Sequence, residues 1–184
     1  MKKLIVTITI ILLASCSPYK KRIYIKEGAK IGFIKKIAVL PFENHSKETN
    51  AGKRIRDIVI TELLVQGIFD VVDKGTVDAT LREEAIEVTT SLDQITARRI
   101  ARSLNIQAFM LGSVDDYRIE RRGSYSFPVV VITLRLMDPK TGTIFWQASG
   151  MESGYTTLGR LFGIRAPDIT EVSFRLVKRL ISSL

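Results

Sequence analysis

The sequence predicts an α/β fold, a three-layer sandwich whose mixed sheet, mainly parallel and then antiparallel, is flanked by helices. Three observations carry this expectation. Ile37-Ala38-Val39-Leu40 and Ala108-Phe109-Met110-Leu111-Gly112-Ser113-Val114 are continuous apolar runs of the kind that form strands covered on both faces. Segments with helical spacing follow the first two strands, which implies parallel crossovers. From residue 127 onward an alternating run, a turn signal and a second short run imply a hairpin. The expected order is β-α-β-α-α-β-β-β-α.

Taken in order, the domain opens at Lys36, and Pro41 ends the first strand because it has no N–H to give to a ladder. Residues 42–46 form a loop. Asn50 to Gln66 places Ile55, Val59 and Leu63 on one helical stripe with Ile58 and Ile60 beside it, and Gly67 stands where a left-handed helix end is expected. Phe69 to Asp73 follows as the second strand. Thr76 to Glu87 spaces Val77, Leu81 and Ala85 as a helix. Ser91-Leu92-Asp93-Gln94 fits a capping box with Ser91 as the N-cap, ahead of a helix presenting Ala97, Ile100, Ala101 and Leu104. Asn105 closes that helix in the left-handed region, and the strand 108–114 follows.

The meander runs from Phe127 to Met137, with Val130, Ile132, Leu134 and Leu136 alternating against Thr133 and Arg135. Asp138-Pro139-Lys140-Thr141-Gly142 is its turn, in which Pro presets φ and Gly takes a positive one. Thr143 to Ser149 returns with Phe145 and Trp146, and residues 150–165 read as irregular. Pro167 opens a last helix striped by Val172, Leu176 and Leu180, widened by Val177, Ile181 and Leu184.

Ahead of the domain stands a processing signal. Lys2 and Lys3 precede a short apolar segment, Leu4 to Leu13, too short to span a bilayer, and small residues lead into the chain's only cysteine. Leu13-Ala14-Ser15-Cys16 resembles the lipobox of bacterial lipoproteins. That resemblance implies a cut after residue 15, diacylglycerol on the Cys16 thiol and an acyl chain on the new amino terminus, with no other cofactor. Each buried acyl CH₂ contributes about 0.8 kcal/mol, so several chains anchor stably. Ser17 in place of Asp implies, by the enterobacterial sorting rule, the periplasmic face of the outer membrane. The expected organisation is a signal peptide over 1–15, a lipidated basic tether over 16–35 and the domain over 36–184.

The net charge of +9 is unevenly placed. Residues 16–36 carry seven Lys/Arg and one acid, whereas 37–184 carry 19 Lys/Arg and 18 acids. The excess lies in the signal and tether, so nucleic acid is excluded as a partner. The tether's charge suits anionic head groups, peptidoglycan carboxylates or a solvated, self-repelling linker. Ile23, Tyr24 and Ile25 offer a short edge strand within it.

Catalytic constellations are missing from the sequence: it has no glycine-rich dinucleotide or phosphate loop and no nucleophile elbow. His45 is the single histidine and reads as a loop residue. Asp115 and Asp116 end a strand beside Arg118, Arg121 and Arg122, which reads as a solvated charge cluster and not a metal site. Trp146 reads as a core residue. Residues 154–165 mix Leu158, Leu161, Phe162 and Ile164 with arginines and glycines. Exposed, they mark an interface; folded back, they form a lid. Tyr155, Leu161, Phe162 and Arg165 are the candidate partner-binding residues.

Lys36-Ile37-Ala38-Val39-Leu40-Pro41-Phe42-Glu43-Asn44, the strand 108–114, the run 133–146 with its Asp-Pro-Lys-Thr-Gly turn and a terminal amphipathic helix together resemble the CsgG/LpoB family. Its members include the periplasmic domain of the curli-secretion protein CsgG and LpoB, a lipoprotein activator of a penicillin-binding protein, with the amino-terminal domain of TolB more distant. The resemblance covers 36–184 and specifies fold better than function. It implies a non-enzymatic, lipid-anchored adaptor or activator whose partner is an envelope protein such as a peptidoglycan synthase or a secretion component. The alternative is an oligomeric channel component. The stretches 117–127 and 150–165 are too short and too charged for the long membrane hairpins of a curli-type pore.

Overall fold

A computed structural model of the chain describes residues 21–29, 31–86 and 92–184. The signal, Cys16 and Ser91 lie outside the described residues.

The fold is a mixed α/β sandwich, as expected. Seven strands form one sheet: β1 (Lys21–Ile25), β2 (Lys36–Val39), β3 (Glu43–Asn44), β4 (Asp70–Val71), β5 (Ala108–Arg122), β6 (Tyr125–Met137) and β7 (Ile144–Ser153). Their order is β1-β7-β6-β5-β2-β4, with β3 on β5. β2 pairs in parallel with β4 and β5, and the β5-β6-β7-β1 half is antiparallel. Five helices accompany the described strands: α1 (Ala51–Gln66), α2 (Lys74–Glu83), α3 (Gln94–Ser103), α4 (Thr157–Phe162) and α5 (Ile169–Ile181).

One sheet face is covered by α1 and α5. Ile55, Val59, Leu63, Val172, Leu176 and Leu180 are fully buried in one core with Met110, Ile132, Leu134, Leu136 and Trp146. Each such side chain contributes roughly 1.5–3 kcal/mol. The other face is only partly covered. α2 and α3 bring Val77, Leu81, Ala97 and Ile100 against Ala38, Leu40 and Phe109. On the β6-β7-β1 half of this face stand Thr133, Arg135, Gln147 and Ser149, half-buried, with Arg22 and Tyr24 exposed at the edge. The Thr133 hydroxyl donates to Asp115 Oδ2 at 3.2 Å and lies within hydrogen-bond distance of Ser149 Oγ, at 3.0 Å, so this half is polar.

Helix ends follow local chemistry. Gly67 closes α1 at φ 62°, its N–H donating to Leu63 O, and Asn105 follows α3 at φ 50°. Asp73, Asp93 and Asp168 cap α2, α3 and α5. Each carboxyl is held below the ordinary carboxylate range by the groups it accepts from: chiefly the Thr76 N–H for Asp73, the Thr96 hydroxyl and N–H for Asp93 and the Glu171 N–H for Asp168. Asp93 therefore takes the role expected of Ser91. It accepts from Ile95 and Thr96 N–H at 2.9 and 3.0 Å, which makes Gln94 the first helical residue and frees its amide to donate to Lys140 O at 2.7 Å.

The edge strand expected at Ile23, Tyr24 and Ile25 forms and extends back to Lys21: β1 pairs with β7 over all five of its residues, so the sheet begins within the first half of the expected tether and not at Lys36. Three further expectations are corrected. The second strand shrinks to Asp70–Val71, and α2 spans Lys74–Glu83 instead of 76–87. β5 does not end at Asp115 and Asp116 but runs to Arg122, so most of 117–127 belongs to a long hairpin turning at Gly123, which has φ 65°. A bulge between Val114 and Asp116 makes this possible. The extra residue lets Val114 and Tyr117 both face the core while Asp115 and Asp116 stay out of it. Finally, β7 extends to Ser153 and α4 forms within the stretch read as irregular.

Candidate functional site

The segment after β7 is pinned to the hairpin tip before it becomes exposed. Gly154 donates to Pro128 O at 2.9 Å, and a Cβ there would stand 2.6 Å from Pro128 Cδ. Tyr155 packs edge-on against Phe127 at 5.1 Å and Tyr125 at 6.0 Å between centroids. The Arg122 guanidinium lies 5.3 Å from the Tyr155 ring centre and 5.5 Å from that of Phe127, within cation–π range. Thr156 Oγ1 accepts from Gly159 N–H at 3.0 Å and starts α4, while Gly163 ends it at φ 67°. Gly159 is buried against Tyr125, and a side chain there would fall on the Tyr125 hydroxyl.

Held this way, α4 turns its apolar residues outward. Leu161 and Phe162 are 70% and 73% exposed, and Leu158 and Ile164 are exposed beside them. Arg160 and Arg165, also exposed, flank the patch. Of the lid and interface alternatives left by the sequence, the geometry gives an uncovered apolar surface. It brings together Leu161, Phe162 and Arg165 but not Tyr155, whose ring is spent on the Tyr125–Phe127 cluster. Sequence reasoning missed Arg122 and Ile119, which join this end of the molecule once the hairpin lengthens. It also missed the helix itself. Its signals were Thr156, three residues before Gly159, and Gly163 at the exit.

The remaining candidates lie elsewhere. His45 is exposed, its Nε2 3.2 Å from Glu43 Oε2, and Glu43 also meets Arg135 at 3.4 Å. Asp115 accepts from Ser113 and Thr133, and Asp116 pairs with Arg118. Trp146 is fully buried. A groove of about 600 Å³ opens at the end of β2, lined by Phe42, Asn44, Lys53, Arg56, Asp78 and Arg82; its buried Arg56 is already engaged by Val39 O and Asp78. Among the described residues no three His, Cys, Asp or Glu side chains group to hold a metal, and no helix is long and apolar enough to cross a membrane.

Comparison with protein families matches residues 31–164 to GNA1162-like lipoproteins. The chain belongs to the GNA1162-like lipoprotein family. No curated protein matches it. Solved structures of similar fold include the PelC dodecamer of Paraburkholderia phytofirmans, at 20% identity and TM-score 0.61 over 90% of this chain and 96% of that one. Lipoprotein GNA1162 of Neisseria meningitidis is similar at 18% identity and TM-score 0.57, covering 70% of this chain and 93% of that one. Escherichia coli LpoB follows at 17% identity and TM-score 0.50, covering 65% and 58%. LpoB is thus matched among the relatives that the motifs suggest, whereas the CsgG and TolB likenesses rest on the motifs alone.

Proposed function

We propose that this member of the GNA1162-like family is a lipid-anchored module on the periplasmic face of the outer membrane that works by contact and not by catalysis. One observation carries the reading: Leu158, Leu161, Phe162 and Ile164 are presented outward by a helix that is itself firmly capped and pinned. Exposed clustered apolar side chains cost solubility and mark contact surfaces. The lipobox at Cys16 supplies the anchor. The polar half-face with Arg22, Tyr24, Gln147 and Ser149 offers a second surface, for an envelope protein such as a peptidoglycan synthase. The LpoB-like fold supports this kind of partner.

Complementation of a null strain's envelope defect tests the reading. Replacing Leu161 and Phe162 together with glutamate is expected to abolish complementation while stability changes by no more than about 0.5 kcal/mol, because both side chains are exposed. His45→Ala is expected to complement fully. Full activity of the double glutamate variant, or loss of activity with His45→Ala, would contradict the proposal.

A second reading is a component of an oligomeric secretion assembly, favoured by the coverage of nearly the whole chain by a PelC protomer whose structure is a dodecamer. Light scattering on the detergent-extracted lipoprotein separates the two. A discrete ring-sized mass supports the assembly, and a monomer or dimer supports the adaptor.

A further inference from the structure

We propose that the α4 surface and the β5–β6 hairpin tip seat on the same bilayer that holds the Cys16 lipid, with Leu158, Leu161 and Phe162 at the interface and Arg160 and Arg165 among anionic head groups. The inference rests on the reading of Cys16 as the lipidated residue and of α4 as a contact surface, and it names what that surface touches.

The first argument is the length of chain between lipid and fold. Five peptide steps join Cys16 to Lys21, and fully extended they span at most about 18 Å. Lys21 is level in the sheet with Gly150, and Gly150 with Ile132. β1 runs in the same direction as β6, so the chain enters β1 from the end of the sheet where the hairpin turns. On β6 that end, Tyr125, lies seven residues beyond Ile132, or about 24 Å further out. The hairpin therefore reaches at least as far as the tether does. A lipid at Cys16 draws this end of the molecule, and no other, down to the membrane surface.

Position and charge give the second argument. Gly154 is bonded at Pro128 and Gly159 lies on Tyr125, which places α4 beside the hairpin tip. Most acidic groups here are already engaged, and Asp168, beside Arg165, caps α5 through the Glu171 N–H. Asp116 and Glu120 pair with Arg118, Glu120 also with Arg122, and Glu152 with Arg179. Arg121, Arg160 and Arg165 are exposed in addition, and Lys20, Lys21 and Arg22 sit in the adjoining chain. Apolar side chains rimmed by arginines match a bilayer interface carrying anionic lipid.

The test uses the mature lipoprotein reconstituted into phosphatidylethanolamine–phosphatidylglycerol vesicles. A Leu161→Trp variant reports on α4. A Val65→Trp variant, on a residue 74% exposed at the far end of α1, serves as reference. The wild type supplies the background of buried Trp146. The indole at 161 is expected to shift its emission to the blue and to be quenched by brominated acyl chains, with no change at 65. Adding Arg160→Glu and Arg165→Glu is expected to weaken the quenching in these anionic vesicles. Water-like emission at 161 would overturn the proposal. A blue shift without bromine quenching would also overturn it, showing that protein covers α4 and leaving the contact reading intact. Failure of the contact reading itself shows separately, as full complementation by the double glutamate variant.

Discussion

Trp146→Ala is expected to lower the unfolding free energy by about 3–5 kcal/mol and the thermal midpoint by on the order of 10 °C. The indole lies at the centre of the larger core, with no exposed surface, among Leu134, Leu136, Ala148 and the α1 and α5 stripes. Its removal leaves a cavity walled by two helices and a sheet that are fixed by their own caps and ladders and relax only partly. Trp146→Phe is expected to cost less than the alanine, because it keeps a ring in place and the indole N–H donates to no group among the described residues. Denaturant unfolding of the mature chain measures both. A loss below about 1 kcal/mol for the alanine would show that the core is not organised around this residue.

The second large effect is expected at Arg56. This side chain is 4% exposed and joins three elements. Its Nε and Nη2 donate to Val39 O at 3.1 and 2.8 Å, at the end of β2, and its Nη1 meets Asp78 Oδ1 of α2 at 2.6 Å. Arg56→Ala leaves the Val39 carbonyl without its charged donor and severs α1 from α2. Removing one partner of a buried pair costs about 3–5 kcal/mol. Asp78 keeps a third of its side-chain surface and can rehydrate, which lowers the expectation to about 2–3 kcal/mol. Asp78→Asn is expected to cost less, since the bonds to Val39 O survive. Equal costs for the two variants would assign the stabilisation to the ion pair and not to the carbonyl clamp.

Much of this fold was legible because its signals are local. The apolar run at 37–40, the α1 and α5 stripes, Gly67, Asn105 and the Asp138–Gly142 turn behave as their residue types require. Asp138 Oδ1 accepts from Lys140 N–H, and Gly142 takes φ 71°. What escaped depended on pairing between distant segments. The extent of β1 back to Lys21, beyond the Ile23–Ile25 edge strand read from the sequence, is set by the edge that β7 offers. Arg118, Arg121 and Arg122 argued against a strand, yet the antiparallel ladder to residues 125–129 carries them outward at the tip. The candidate site was legible in composition alone. Leu158, Leu161, Phe162 and Ile164 stood out as apolar residues without a core, but the helix that presents them depends on Tyr125 receiving Gly159, a contact across more than thirty residues. Tyr155 was grouped with them by proximity in sequence, and packing separates it.

The proposed anchor, the short tether and the orientation of α4 all depend on lipidation of Cys16. Intact-mass analysis of the mature protein extracted from membranes tests this most directly. The predicted result is a chain beginning at Cys16, heavier than its polypeptide by a diacylglycerol and an acyl group, with Cys16→Ser released from the membrane fraction. A chain beginning elsewhere, or carrying an unmodified thiol at residue 16, would contradict it.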